Sequence, residues 1–253
     1  MSDHIKITRA GGILTLILDR PDKKNALTDA MYKALADAIE AAQTDAEIHV
    51  ILLRGEGEMF TSGNDVKEFA AVAMGGAPLH HVARFLHAIA TASKPLVAAV
   101  QGRAIGVGTT MLLHFDHVVL ADNTTLSTPF VNLALVPEAA SSLLLPARIG
   151  HLRAFAMFAL GDPVAAHEAV AWGLANKVVP PAELIATAEA FAARLAAQPL
   201  GALVATKRLM RDTPAVLARI DLEAAQFVEC LKSADAREAF MAFAERRAPH
   251  FHK

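Results

Sequence analysis

Apolar and polar positions divide the chain into two unlike parts. Ile5–Thr8 and Ile13–Leu18 read as strands joined by the turn Ala10-Gly11-Gly12, a hairpin signal. A polar loop, Asp19–Ala26, follows. Thr28 then suits the N-cap of a helix that carries Leu35, Ile39 and Ala42 on one face. Ile48–Leu53 is a continuous apolar run, as expected of a strand buried on both faces. The loop Arg54–Gly63 leads to Asn64-Asp65, which cap a further short helix. Leu79–Thr91 is helical by period, Pro95–Val100 is the next buried strand, and Val118–Leu120 is another. This order of hairpin, helix, strand, helix, strand, helix and strand predicts an α/β fold with mostly parallel pairing.

Beyond Glu138 the pattern changes. Ser141–Ile149, Arg153–Leu160, Ala165–Ala171, Glu183–Ala197, Ala202–Met210 and Ala215–Phe243 all read as helices, separated by breaks at Gly and Pro. The last third is therefore expected to be nearly all α.

The stretch Ala99–Glu138 organises the rest. A Gly-rich turn, Gly102–Gly108, opens into the apolar run Thr109–Phe115, so a helix start offers free backbone N–H groups. Such donors can hold a developing oxyanion. Glu138 is a lone carboxylate in apolar surroundings. Donors for an enolate and one base are the minimum for proton transfer alpha to a carbonyl. Each feature also has a plainer reading. Gly102–Gly108 can serve close helix–strand packing. Phe60-Thr61-Ser62-Gly63-Asn64-Asp65 can be an ordinary strand-to-helix loop, although the N–H of Asn64 is placed to be an oxyanion donor. Glu138 alone reads as a solvated charge ahead of a helix.

Composition narrows the choices. The 253 residues are 54% apolar with a net charge of −2. That excludes disorder and shows no basic footprint for nucleic acid. One cysteine, Cys230, rules out an internal disulfide framework and suits a cytoplasmic location. No apolar run approaches a membrane span, and neither the start MSDHIKITRA nor the end HFHK reads as a targeting signal. The eleven histidines show no recognised zinc spacing, so no metal is expected. Gly102–Gly108 lacks the Lys-Ser/Thr ending of a phosphate loop and the pattern of a dinucleotide site. Ser141-Ser142 has no nucleophile-elbow context.

Several blocks together resemble the crotonase (enoyl-CoA hydratase/isomerase) superfamily: DRPDKKNALT, RGEGEMFTSGNDVKEF, KPLVAAVQGRAIGVGTTMLLHFDHVVLAD, GDPVAAHEAVAWGLANKVVP and DAREAFMAFAERRAPHF. The resemblance implies a crotonase-like spiral of ββα units over residues 1–197, which carries the acyl-CoA site. A C-terminal helical oligomerisation region over 198–253 would give a homotrimer or homohexamer. It implies an acyl-CoA thioester as substrate, with coenzyme A part of that substrate and no separate cofactor. The thioester carbonyl would lie between the N–H groups of Asn64 and Val107. Val107 replaces the usual Gly, and a valine resists positive φ. Lys23, Lys24 and the Ala26 backbone would face the coenzyme A portion. Thr61, Ser62, Gly63, Asp65, Val66, Gly106 and Phe130 complete the implied substrate site.

Hydratases of the superfamily place two glutamates around a water; the matching positions here hold Thr110 and Phe130. The run TPFVNLALVPEAASS resembles peroxisomal-type Δ3,Δ2-enoyl-CoA isomerases, whose single catalytic glutamate matches Glu138. The resemblance thus implies an isomerase. A hydratase, lyase or hydrolase using Glu138 differently is the enzymatic alternative, and an oligomeric acyl-CoA binder the non-enzymatic one.

Overall fold

The computed structural model describes residues 3–77 and 79–251; Pro78 and the end residues Met1, Ser2, His252 and Lys253, which include parts of the stretches MSDHIKITRA and HFHK, lie outside them. Strands β1 (Ile5–Ala10) and β2 (Ile13–Leu18) form the expected hairpin, with Ile5 opposite Leu18. The polar loop leads to helix α1 (Asp29–Thr44), whose N-cap Thr28 accepts the N–H of Met31. Met31, Tyr32, Leu35, Ala36 and Ile39 bury the inner face of α1. Truncating Leu35 to Ala would cost about 2–5 kcal/mol.

Strand β3 (Val50–Gly55), helices α2 (Val66–Ala73) and α3 (Val82–Thr91), and strand β4 (Leu96–Val100) follow. The six-stranded sheet has the order β1-β2-β3-β4-β6-β9, with β6 at His117–Ala121 and β9 at Lys177–Val179, and is parallel except for its first pair. Ile51 and Leu53 face α1 and α3, whereas Val50 and Leu52 pack on helix α8 (Leu184–Ala196). Coverage on both faces explains the unbroken apolar run of β3.

The structure corrects the Gly-rich segment. It is not one turn before a helix over Thr109–Phe115: Arg103–Ile105 forms a short strand, β5. Only Val107–Thr110 is α-helical (α4), and it tightens into a 3-10 turn over Met111–His114. Strand β6 (His117–Ala121) returns to the main sheet. β7 (Thr125–Ser127) pairs with β5, and β8 (Val164–Ala165) adds to β7, giving a second, three-stranded sheet. β4 and β6 thus stand in one sheet and β5 and β7 in the other, so the chain spirals between two sheets. These strands of two and three residues are too short to register as periodicity.

The last third is mainly helical but not wholly so. It contains α5 (Ser141–Ile149), α6 (His151–Leu160), β8, α7 (Ala166–Ala171), β9 (Lys177–Val179) and α8, then α9 (Leu200–Leu209). The span expected as a single helix over Ala215–Phe243 is two: α10 (Thr213–Leu231) and α11 (Ala234–Glu245). Ser233 breaks it by capping α11 and accepting the N–H of Ala236 at 3.0 Å, a competing local bond that favours a helix start over a helix interior. The break lets α10 pack on α3 and α5 while α11 turns onto α2. Phe69, Phe130, Leu135, Phe227, Leu231 and Phe240 fill the space between them.

Candidate active site

Two loops meet at the ends of β3 and β4. Thr61 donates its N–H to Arg103 O at 3.1 Å, and Ile105 donates to Thr61 O at 3.2 Å. Contact is close enough to demand glycine. A Cβ on Gly63, at φ +87°, would lie 2.6 Å from Ile105 O, and one on Gly108 would lie 2.5 Å from Thr61 Cγ2. The first loop is also tied to the chain before α1, where Leu27 donates to Gly63 O and Asp65 donates to Leu27 O.

These ties use almost every N–H around the junction. Ser62 donates to Lys24 O, Gly63 to Thr61 Oγ1, Gly106 to Ser127 O, and Thr109 and Thr110 both to Gly106 O. Among the described residues, the backbone N–H groups of Asn64 and Val107 have no acceptor. Both residues line a pocket of about 80 Å³, together with Ser62, Gly63, Val66, Gly106 and Phe130. Two unpaired donors at one pocket are what an oxyanion needs. The valine at 107 costs nothing in geometry. Positive φ falls on Gly106, at +57°, while Val107 is the first residue of α4.

Several side chains hold this arrangement. The Tyr32 hydroxyl, fully buried on α1, donates to Asn64 Oδ1. Asp65 caps α2 by accepting the N–H of Lys67 at 3.0 Å, and it pairs with Arg20 at 2.7 Å. Burial pushes the Asp65 carboxyl up, but Arg20 and the α2 N–H groups outweigh it and hold it below the usual range. Thr61 is a strut, with its hydroxyl donating to Asn25 O at 2.6 Å and accepting from Gly63 N. Neither Thr61 nor Asp65 lines the pocket, contrary to the expected substrate contacts, because their polar atoms are spent on the loop itself. The Lys24 side chain is exposed, while Ala26 O accepts from Arg20 at 3.1 Å; neither lines the pocket.

Glu138 stands in a second, adjoining pocket of about 170 Å³. Its other walls are apolar, among them Leu79, Val82, Leu86 and Ile220. Phe69 and Phe227 line both pockets and meet edge to face, 6.0 Å between centroids. Glu138 is only 6% exposed, and its Oε1 has no partner among the described residues. Burial, and then the charge of Glu223, push its carboxyl up to about 8. The solvated-charge reading of Glu138 therefore fails. The Tyr32 hydroxyl is raised by burial and then by the charge of Glu138, so the two pockets share one electrostatic neighbourhood. Thr110 is fully buried with an unpartnered hydroxyl and, like Phe130, offers no carboxylate.

Sequence reasoning missed Tyr32, Glu223 and the Phe69–Phe227 wall. Each lies far along the chain from the loops it touches, on a helix where it reads as core or surface. No helix among the described residues is long and apolar enough to cross a membrane.

An α/β spiral with paired free N–H groups and one carboxylate lining the adjoining pocket defines an enzyme of the crotonase superfamily. The family model described as enoyl-CoA hydratase/isomerase matches residues 8–253, and the chain belongs to that family. A solved enoyl-CoA hydratase/isomerase from Pseudoalteromonas atlantica T6c superposes with a TM-score of 0.94. It is 38% identical and covers 99% of this chain and 100% of its own. The 1,2-epoxyphenylacetyl-CoA isomerase of Escherichia coli K12 is 33% identical over 248 residues, 95% of each chain. Enoyl-CoA delta isomerase 2 of Rattus norvegicus is 37% identical over 186 residues, which are 71% of this chain and 47% of that one.

Proposed function

We propose that the protein is a Δ3,Δ2-enoyl-CoA isomerase that moves a double bond of an acyl-CoA from the 3,4 to the 2,3 position. The observation that carries this reading is the single carboxylate that lines the pockets, Glu138, raised towards neutrality; the neighbouring Glu223 lines neither pocket. A 3-enoyl thioester carbonyl accepts the N–H groups of Asn64 and Val107. Glu138, ionised, removes the alpha proton. The C–H electron pair becomes a C1–C2 π bond as the carbonyl π pair moves onto the thioester oxygen, giving a dienolate that keeps its C3–C4 double bond. The protonated Glu138 then returns the proton to the gamma carbon. There the C3–C4 pair forms the new C–H bond, the C1–C2 pair becomes the C2–C3 double bond and the carbonyl re-forms, so atoms and charge balance with one base. Apolar walls around Glu138 keep water from the dienolate, which disfavours hydration.

The acyl group we assign is compact. A pocket of about 170 Å³ is close to the ~150 Å³ cavity that holds benzene. The E. coli relative, named for a phenylacetyl-CoA derivative, is consistent with such a size. We take the working form to be a homotrimer or a pair of trimers in the cytosol.

The test is to incubate the purified protein with a 3-enoyl-CoA and follow the ultraviolet absorbance of the conjugated 2-enoyl thioester, with Glu138→Ala in parallel. Conversion lost in the variant supports the reading. Formation of a 3-hydroxyacyl product instead, or no conversion by the wild type, overturns it.

A further inference from the structure

We infer that Glu223 is the positioning residue for Glu138: its carboxylate, arriving from α10, fixes the backbone on which Glu138 stands and sets a negative charge beside it. This rests on the reading of Glu138 as the base.

The segment after Glu138 does not hold its shape by itself. Ala139 and Ala140 are consecutive left-handed residues, at φ 62° and 55°. That conformation crowds an L-residue's Cβ against its own backbone. Nor does α5 have a side-chain N-cap of its own, since the capping position is Ala140. Two buried groups from elsewhere supply the missing bonds. On one side Glu223 Oε1 accepts the N–H of Ser142 at 2.8 Å; burial raises the Glu223 carboxyl above its ordinary value, and the bonds from Ser142, the N–H of Ala140 and the charge of Arg219 oppose that rise. On the other side His114 lies 2.8 Å, Nε2 to oxygen, from the carbonyl of Ala139. Burial, and then Arg211, Arg148 and Lys207, pull the imidazole down to about 3 against that bond, so the ring is neutral and Nε2 carries its hydrogen. The residue following Glu138 is thus pinned through its carbonyl, and the next turn through its N–H groups.

Glu223 does not line the pocket that holds Glu138, so it does not touch substrate. Its Oε2 is buried without a partner among the described residues. The groups facing it are the α5 N–H groups, Arg219 one turn back on α10, and Glu138. Arg219 itself reaches Ser142 Oγ at 3.3 Å. The charge of Glu223 acts on Glu138, and that of Glu138 acts in turn on the buried, neutral Tyr32 hydroxyl of α1. Among the titratable groups acting on Glu138, Glu223 is the charged one, and like charge keeps the base protonated to higher pH.

The experiment compares Glu223→Gln and Glu223→Ala in the full-length protein. Gln keeps an oxygen for the Ser142 N–H and loses the charge; Ala loses both. The kcat/KM for a 3-enoyl-CoA is measured against pH. In parallel, the Glu138 carboxyl is titrated by NMR in protein carrying 13C-labelled glutamate, assigned with Glu138→Gln. Both variants are expected to lower the Glu138 midpoint, by roughly half a unit to one unit, and to move the acidic limb of the rate profile with it. Ala is expected to lower kcat by about tenfold more than Gln does, with less change in KM. An unmoved midpoint in Glu223→Gln overturns the electrostatic role, whether or not the enzyme turns over this substrate. Equal kcat in the two variants overturns the backbone role. A shifted midpoint in a protein that converts no 3-enoyl-CoA overturns the isomerase reading and leaves the coupling standing.

Discussion

Replacing Glu138 by Gln should abolish activity and raise stability, and the gain should grow with pH. An unfolded chain ionises this carboxyl near its ordinary value of 4.5, whereas the folded protein holds it protonated up to about 8. Between those values the folded state binds more protons than the unfolded one, so stability falls as pH rises. Each pH unit in that window costs about 1.4 kcal/mol. At pH 7 the accumulated cost is about 3 kcal/mol, and above pH 8 it levels off near 5 kcal/mol. Gln has almost the same shape and carries no ionisation to suppress. The variant should match the wild type near pH 4.5 and exceed it by about 3 kcal/mol at pH 7, or roughly 6–12 °C in Tm for a chain of this size. Urea unfolding followed by circular dichroism at pH 5, 6, 7 and 8 measures the difference, and turnover of a 3-enoyl-CoA should fall by about 10²–10⁴ or more. A stability difference that stays constant across this range would refute the argument, because only a shifted ionisation makes it depend on pH.

Three further perturbations address the rest of the site. Val107→Pro removes one oxyanion donor at the first position of α4, where proline fits a helix; kcat should fall about 10²–10³ with the far-ultraviolet spectrum unchanged. Tyr32→Phe deletes the hydroxyl that Asn64 Oδ1 accepts; we expect about 1 kcal/mol less stability in urea and a lower kcat, with KM less affected. Phe69→Ala opens the wall shared by the two pockets. The wild type should favour acyl groups up to about the size of a phenyl ring or six-carbon chain. The variant should shift kcat/KM towards longer chains, measured with a homologous series of 3-enoyl-CoA thioesters.

The sequence made the parallel sheet legible because β3 and β4 are buried on both faces and so read as unbroken apolar runs. The hairpin, the Thr28 cap and the Gly63 and Gly106 loops were legible for local reasons: a turn, a hydroxyl one step before a helix, and glycines where backbones touch. β5, β7, β8 and β9 were not, because a two- or three-residue strand is defined by its partner rather than by its own pattern. The break at Ser233 was hidden by alanine-rich flanks that suit a helix on either side. At the site, the resemblance singled out Asn64, Val107 and Glu138 by motif. Tyr32 and Glu223 were beyond such reasoning, since Tyr32 reads as one more core residue of α1 and Glu223 as one more acid on a long helix.

What local rules count against the segment from Ala134 to Ser142 is also what equips it. Three alanines there, Ala134, Ala139 and Ala140, take left-handed φ without being glycine. Glu138 is buried with an oxygen unpaired, and a second carboxylate is brought from α10 to sit near it. Each of these raises the free energy of the folded state, by about 1–3 kcal/mol for every strained residue. A sequence selected for stability alone would place Gly or Asn at the turns and an apolar residue at 138. The surrounding structure over-determines the segment instead, with His114 on one carbonyl, Glu223 on the following N–H groups, and the aromatic cluster of Phe69, Phe130, Phe227 and Phe240 packed above. The same contacts that carry this cost hold an ionisable group in an apolar pocket next to two unpaired N–H donors. The strain, the buried charge and the free donors therefore have one common explanation in proton transfer at a thioester, and Glu138→Gln, by removing the buried ionisable group while leaving the strained turns and the donors in place, separates stability from function in a single substitution.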